Sequence, residues 1–246
     1  MVSIPNSEKL VTALDLKTPI VGIYDTPDVS GFENLESPET GKNACLVRFY
    51  PHWQEGKSLH LTRETAGCGG SAYWLFGKET RTRENFIEFL AVKEGLKDSK
   101  ELMSRWLDHE HPYKPEYSNL VIGPLHDIQF KYLKTVTFFI TPDQLSVLTI
   151  AAHYFHSPED LVPPVIVPMG SGCMQMLTIL KDLDFPQAVI GSTDISIRKY
   201  LPAGLIAFTM TVPMYRQMCA LDERSFLYKP FLRNLKESRG KLGDVA

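Results

Sequence analysis

What most constrains this chain is the alternation of short β-branched or aromatic runs with segments that carry helix-capping signals. Thr135-Val-Thr-Phe-Phe-Ile140 is the clearest run; it is brief and apolar, and it reads as a buried strand. Thr141-Pro-Asp-Gln144 follows at once. Thr141 suits an N-cap, Pro142 the first helical position, and Gln144 stands where a capping box places Glu or Gln. Leu145, Leu148, Thr149, Ala152 and Phe155 then recur at three- and four-residue steps, the spacing of one helix face. Past the Pro163-Pro164 break, residues 165–169 read as a strand, with Pro168 marking an edge or a strand end. Gly170-Ser-Gly-Cys173 turns into a helix over 174–181. Residues 188–190 and 205–210 read as strands, and 213–221 and 226–236 as helices. Such alternation predicts an α/β (or α+β) fold, a mixed sheet flanked by helices.

The first half repeats the theme. Residues 19–24 read as a strand, and Thr26-Pro27-Asp28 after it echoes Thr141-Pro142-Asp143. Residues 44–53 read as a helix and 58–62 as a strand, and Ala66-Gly-Cys-Gly-Gly70 turns into a helix over 71–76. Residues 86–90 read as a strand, and 99–109 as a helix capped by Ser99. Side by side, the halves run strand, helix, strand, glycine-flanked cysteine, helix, strand, helix, with Cys68 and Cys173 at equivalent points. The expectation is two pseudo-symmetric strand–helix halves, 1–110 and 135–236, inside one compact domain. A linker or covering loop, 111–134, joins them, and a flexible polar tail, 237–246, follows. A period of half the chain is too long for a solenoid and points to gene duplication.

Composition narrows the function classes. Twenty-six basic residues against 29 acidic ones give a formal charge of −3, so a globally basic nucleic-acid binder is not expected. No run approaches the 18 or more apolar residues of a membrane span, and Asn6, Glu8 and Lys9 break any secretory leader pattern. Four cysteines in 246 residues are too few for a disulfide framework, and a cytoplasmic location is expected. The sequence names no reaction.

It does indicate where chemistry would sit. Cys68 and Cys173 each lie after a strand, among glycines, at the start of a helix. Amides and the positive dipole end favour a thiolate there, which raises reactivity and metal affinity. Both also suit small buried packing positions. Cys45 lies 23 residues before Cys68. If the halves pack face to face, the three cysteines offer soft ligands with an open fourth position, as in an iron–sulfur or zinc centre. No CxxC or HExxH spacing accompanies them. Cys219, with Met214, Tyr215 and Met218, reads as core.

Gly170, Ser171 and Gly172 resemble half of a phosphate-binding turn without the full GxGxxG. Ser192, Thr193 and Asp194 form a second turn after a strand, with Arg198 four residues beyond Asp194 and able to pair with it. These seven residues are candidates for binding a small anion. The seven histidines form no ligand constellation. Arg81 and Arg83 read as ordinary solvated charge.

The segments Phe139-Ile-Thr-Pro-Asp-Gln-Leu145, Gly170-Ser-Gly-Cys173 and Ala188-Val-Ile-Gly-Ser-Thr-Asp194 with Arg198 and Leu201-Pro202 carry a resemblance. So do Cys45, Leu61-Thr-Arg-Glu64 and Gly67-Cys-Gly-Gly70. Together they resemble the uncharacterised "domain of unknown function 169" family of bacteria and archaea, from about Pro19 to Phe231. The resemblance implies a cytoplasmic protein and places Cys45, Cys68, Cys173, Asp194 and Arg198 at positions matching the family pattern. It implies no activity.

The leading expectation is therefore a cleft between two halves where Cys68 and Cys173, with Cys45, bind a metal or iron–sulfur centre or act as redox thiols. The alternative is a non-catalytic binding module for a small anion at the strand-to-helix turns. A cysteine nucleophile paired with His60 or His153 ranks last. Small-molecule or metal ligands are the expected partners, with neither nucleic acid nor membrane among them.

Overall fold

Strands β1 (Ile20–Thr26) and β5 (Leu133–Ile140) run antiparallel at the centre of an eight-stranded mixed sheet. The computed structural model describes residues 5–40, 45–126, 129–180 and 184–242, with side chains to residue 239. On the β1 side lie β4 (Asn119–Pro124), β3 (Ser58–Leu61) and β2 (Leu35–Glu36); on the β5 side lie β8 (Ile206–Thr211), β7 (Ala188–Gly191) and β6 (Val165–Ile166). The full order is β2-β3-β4-β1-β5-β8-β7-β6. The outermost pairs, β2–β3 and β6–β7, are parallel, and all other neighbours are antiparallel. Moving outward from the central pair, each side meets its fourth, third and second strands in turn. The class is α/β.

Both faces of the sheet are covered, which is why its central strands read as continuous apolar runs. In β5, Phe139 points into one core while Val136, Phe138 and Ile140 point into the other, the two-residue period of a pleated strand. The second core is closed by α1 (Glu8–Leu14), α6 (Pro142–Ala152), α8 (Val212–Cys219) and α9 (Pro230–Leu242). The first core is closed by the 3-10 turn Leu46–Phe49, α2 (Tyr50–Gln54), α3 (Gly69–Phe76), α5 (Lys100–His109) and α7 (Gly172–Met176). Helix α6 has the capping box read from sequence: Thr141 Oγ1 accepts from the Gln144 amide and Gln144 Oε1 accepts from the Thr141 amide. The Gln144 side chain also donates to the Leu14 carbonyl at 3.0 Å, tying α6 to α1. Among the described residues, no helix is long and apolar enough to cross a membrane.

Several expectations need correction. Residues 86–90 form no strand: α4 (Arg83–Glu88), capped by Thr82, runs into a single π turn at Phe89–Lys93. Phe86, Ile87, Leu90 and Ala91 pack on the first core at helical spacing. Residues 111–134 are no mere linker, since they contain β4, which pairs with both β1 and β3. Leu120, Val121 and Ile122 are fully buried there, so this brief apolar run is itself a core strand. The tail is helical as far as Leu242. Strand β6 is only two residues long, because Pro168 supplies no amide to extend the ladder. The helix expected over 174–181 begins at Gly172 and is followed by a 3-10 turn, Thr178–Leu180. Ala44, Asp127, Lys181 and residues 243–246 lie outside the described residues.

The matching of Cys68 with Cys173 also changes. Cys68 lies between β3 and β4, whereas Cys173 lies between β6 and β7. In the strand order, the place corresponding to Cys173 is that of Cys45, between β2 and β3. The place corresponding to Cys68 is that of Asp194, between β7 and β8. The shared Gly–Cys pattern therefore pairs residues that the sheet places differently.

Candidate functional site

A cavity of about 330 Å³ opens on the first-core side of the sheet, lined by Cys45, Cys68, Cys173 and Asp194 together. Each arrives at the start of a short helical segment. Cys45 has extended backbone and caps the 3-10 turn Leu46–Phe49. Cys68, also extended, caps α3. Cys173 is the second residue of α7, which Ser171 caps. Asp194 accepts from the Ser196 amide at 2.9 Å and thereby starts the turn leading to the 3-10 segment Arg198–Tyr200. The Val47 and Arg48 amides bond to Cys45 and the Ser196 amide to Asp194.

Close packing holds the turns in place. Gly172 is wedged against Val47 and Ile197: a Cβ there would come 2.6 Å from Ile197 Cδ1 and 2.8 Å from Val47 Cγ2. Glycine is the residue that lets α7 approach both the Cys45 turn and the Asp194 turn. Buried Gln175 then fastens α7 to the second of these. Its amide nitrogen donates to Thr193 Oγ1 at 2.6 Å, and its Oε1 accepts from the Thr193 amide at 3.3 Å. Thr178 Oγ1 donates to the Trp74 carbonyl at 2.8 Å, joining the segment after α7 to α3.

The sulfurs face a shared space. The ideal Cβ position of Gly70 lies 3.8 Å from Cys173 Sγ and 3.9 Å from Cys68 Sγ, with Ser171 Oγ at 3.8 Å. Ser171 Oγ and Cys173 Sγ are 3.1 Å apart and hydrogen-bonded. Burial pushes the Cys173 thiol up to about 12, the Ser171 hydroxyl opposes it, and the charges of Cys68 and Cys45 add to the rise. Burial also raises the Cys45 thiol; the amides of Val47 and Arg48 pull the other way, and Cys68 and Asp194 push further up. Burial raises the Glu94 carboxyl at the cavity rim, with Asp194 adding to this and Arg81 opposing. Burial thus holds the Cys45 and Cys173 thiols in their protonated forms.

All four cysteines are free. Among the described residues, no group of three or more His, Cys, Asp and Glu side chains is close enough to hold one metal ion. The ligands of a single zinc would need sulfurs about 4 Å apart.

The anion-binding candidates separate. Ser171, Gly172 and Asp194 line the cavity, whereas Gly170, Ser192, Thr193 and Arg198 do not. Arg198 donates to the Leu205 carbonyl at 2.7 Å and the Ala203 carbonyl at 3.0 Å, clamping its own loop, where pairing with Asp194 had been expected. Ser192 has positive φ and a buried hydroxyl without a partner among the described residues. His60 bonds to Asn119 and Ser37, and His153 to the Thr149 carbonyl; among the described residues, no histidine lines the cavity. Cys219, the last residue of α8, packs against the second core.

Sequence reasoning missed part of the lining: Trp74, Phe86, Phe89 and Tyr200 as its aromatic wall, and Arg81, Glu94 and Lys199 as its charges. Arg81 lies 4.6 Å from the Phe89 ring centroid, a cation–π contact. The available signal was the helical spacing of Phe86 and Leu90, which would have placed this segment on the first core as a helix.

The chain matches the DUF169 family, described as uncharacterised ArCR, over residues 9–220. It belongs to that family. No curated protein and no solved structure matches it. The DUF169 match runs from α1 through α8 and spans all the cavity-lining residues.

Proposed function

We propose that this DUF169 protein holds a thiophilic metal centre, an iron–sulfur cluster, on Cys45, Cys68 and Cys173, with the rest of the cavity open to a small-molecule substrate. The observation that carries the reading is the convergence of three cysteines from three separate inter-strand connections on one cavity. Among the described residues no group of three or more such side chains could hold a single metal ion, so the reading is of a cluster, which distributes its thiolates over several irons. Buried thiols with raised proton affinity argue against a free thiolate nucleophile. We place the protein in the cytoplasm, where reducing conditions keep such thiols available. Neither nucleic acid nor a membrane is part of this reading.

Anaerobic purification with iron, sulfide and zinc analysis and visible absorbance tests it. Iron and sulfide are expected in the wild type and lost in Cys68→Ala and Cys173→Ala. A colourless, metal-free protein that also refuses iron and sulfide on reconstitution refutes it. Arg81 and Lys199 on the cavity lining favour one second reading, a module for a small anion without a metal. That reading expects inorganic phosphate to raise the Tm of metal-free protein, and Arg81→Ala to abolish the rise.

A further inference from the structure

We propose that the open part of this cavity takes a small organic anion with a flat aromatic body, an arenecarboxylate whose ring lies against the aromatic wall and whose acid group meets Arg81. The inference rests on the cavity being open to a small molecule, which both readings above share, and adds the chemical class of that molecule. It involves no metal and no covalent step.

The cations of the lining carry the first part. Arg81 lies 4.6 Å from the Phe89 ring centroid and the Lys199 ammonium 5.2 Å from the Tyr200 centroid, and all four residues line the cavity. Among the described residues, neither cation forms an ion pair with a carboxylate. Other surface cations are taken up: Arg83 pairs with Asp108 and also donates to the Ser104 carbonyl, Lys100 pairs with Glu88, and Arg239 with Asp143. A ring beneath a cation attracts it without cancelling its charge, so Arg81 stays available to an anion. The two carboxylates of the lining do not fill that role. Asp194 accepts from the Ser196 amide of its own turn, and burial holds the Glu94 carboxyl toward its neutral form.

The rings carry the second part. Trp74 comes from α3, Phe86 from α4, Phe89 from the π turn and Tyr200 from the 3-10 segment after Asp194, so the wall is assembled from separate segments. Phe86, Phe89 and Tyr200 are only half-buried. Rings left partly open around a cavity favour an occupant with a ring of its own, because stacked and edge-to-face pairs add attraction beyond the area they bury. The volume of about 330 Å³ stands at the low end of small-molecule sites, about 300–1,000 Å³, which suits one ring bearing one acid group.

The test is isothermal titration calorimetry of the protein as purified with benzoate, with benzyl alcohol, which keeps the ring and lacks the charge, and with inorganic phosphate, which keeps a charge and lacks the ring. Wild type is compared with Arg81→Ala, Phe89→Leu and, as a control outside the cavity, Arg83→Ala. Arg81 is exposed, so its alanine variant keeps the fold, which a thermal melt verifies. Benzoate is expected to bind wild type and Arg83→Ala alike, and more tightly than either benzyl alcohol or phosphate. Arg81→Ala should weaken benzoate by about 10-fold or more and leave benzyl alcohol unchanged. Phe89→Leu, which keeps apolar bulk, should weaken benzoate by about 2- to 10-fold. Phosphate binding as tightly as benzoate, or benzoate binding unchanged in Arg81→Ala, overturns the inference and leaves the cavity an open site. Absence of binding by all three probes overturns the open cavity as well. Iron and sulfide content of the same samples judges the cluster separately.

Discussion

Alanine at Gly70 separates the stability of the fold from the occupancy of the site. The added methyl would lie 3.8 Å from Cys173 Sγ and Ser171 Oγ and 3.9 Å from Cys68 Sγ. Those are ordinary contact distances, so the metal-free protein accepts it without a clash. Gly70 is the second residue of α3 and has no positive φ. Alanine there narrows the unfolded ensemble and is expected to stabilise the fold by about 0.4–1 kcal/mol. In a chain of this size that is a rise of about 1–4 °C in Tm. The same methyl fills space beside the Cys68 and Cys173 sulfurs that the proposed centre has to enter. An overpacking cost of about 1–3 kcal/mol in the loaded state weakens retention of the centre by about 5- to 150-fold. Thermal melts of metal-free protein and chelator competition on the loaded protein read the two effects separately. Unchanged retention in Gly70→Ala would falsify the placement of the centre beside these sulfurs. A fall in the metal-free Tm would refute the packing argument instead.

Gly172→Ala should behave oppositely in the metal-free protein, because its Cβ would strike buried Val47 and Ile197. A loss of about 1–3 kcal/mol is expected in urea unfolding at unchanged m, and an unaltered midpoint would show that α7 is not wedged there. Removing the α6 cap by Thr141→Ala should cost about 0.5–2 kcal/mol, read the same way; no change would mean that the capping box adds nothing to the fold. The raised Cys173 thiol sets an alkaline limit for the metal-free fold. Above the ordinary value of 9.0 the unfolded chain gives up its proton first, so stability falls as pH climbs toward about 12. The slope is about 1.4 kcal/mol per pH unit for this thiol; Cys173→Ala should be less steep, and an equal slope would remove Cys173 as its source.

The fold was legible wherever local chemistry and tertiary demand agreed. Residues 133–140 and the capped helix after them carry β-branched residues, a capping box and a helical stripe within twenty residues, and each signal survives in β5 and α6. Residues 86–90 misled because Phe-Ile-Glu-Phe-Leu satisfies strand propensity as well as helix spacing. The cap that decides between them, Thr82, lies outside that window. Residues 111–134 misled because their prolines, tyrosines and histidines mask the three-residue apolar run, Leu120-Val-Ile122, at the centre of β4. Its burial is decided by β1 and β3 from elsewhere in the chain, and no local window contains that information.

The site shows the same division at a finer scale. A cysteine among glycines at a helix start was readable, because amide exposure and close approach are properties of a few adjacent residues. Which cysteine answers to which was not readable, because correspondence is a property of strand order. Gly67-Cys-Gly-Gly70 and Gly170-Ser-Gly-Cys173 look alike as strings, yet one precedes β4 and the other precedes β7. Once the order is known, Cys45 answers to Cys173 and Cys68 answers to Asp194. Arg198 illustrates the converse: its spacing from Asp194 suggested an ion pair, but the backbone carbonyls of Ala203 and Leu205 come within reach first. The Arg198 guanidinium is occupied in clamping the 198–205 loop, and Asp194 lines the cavity without it.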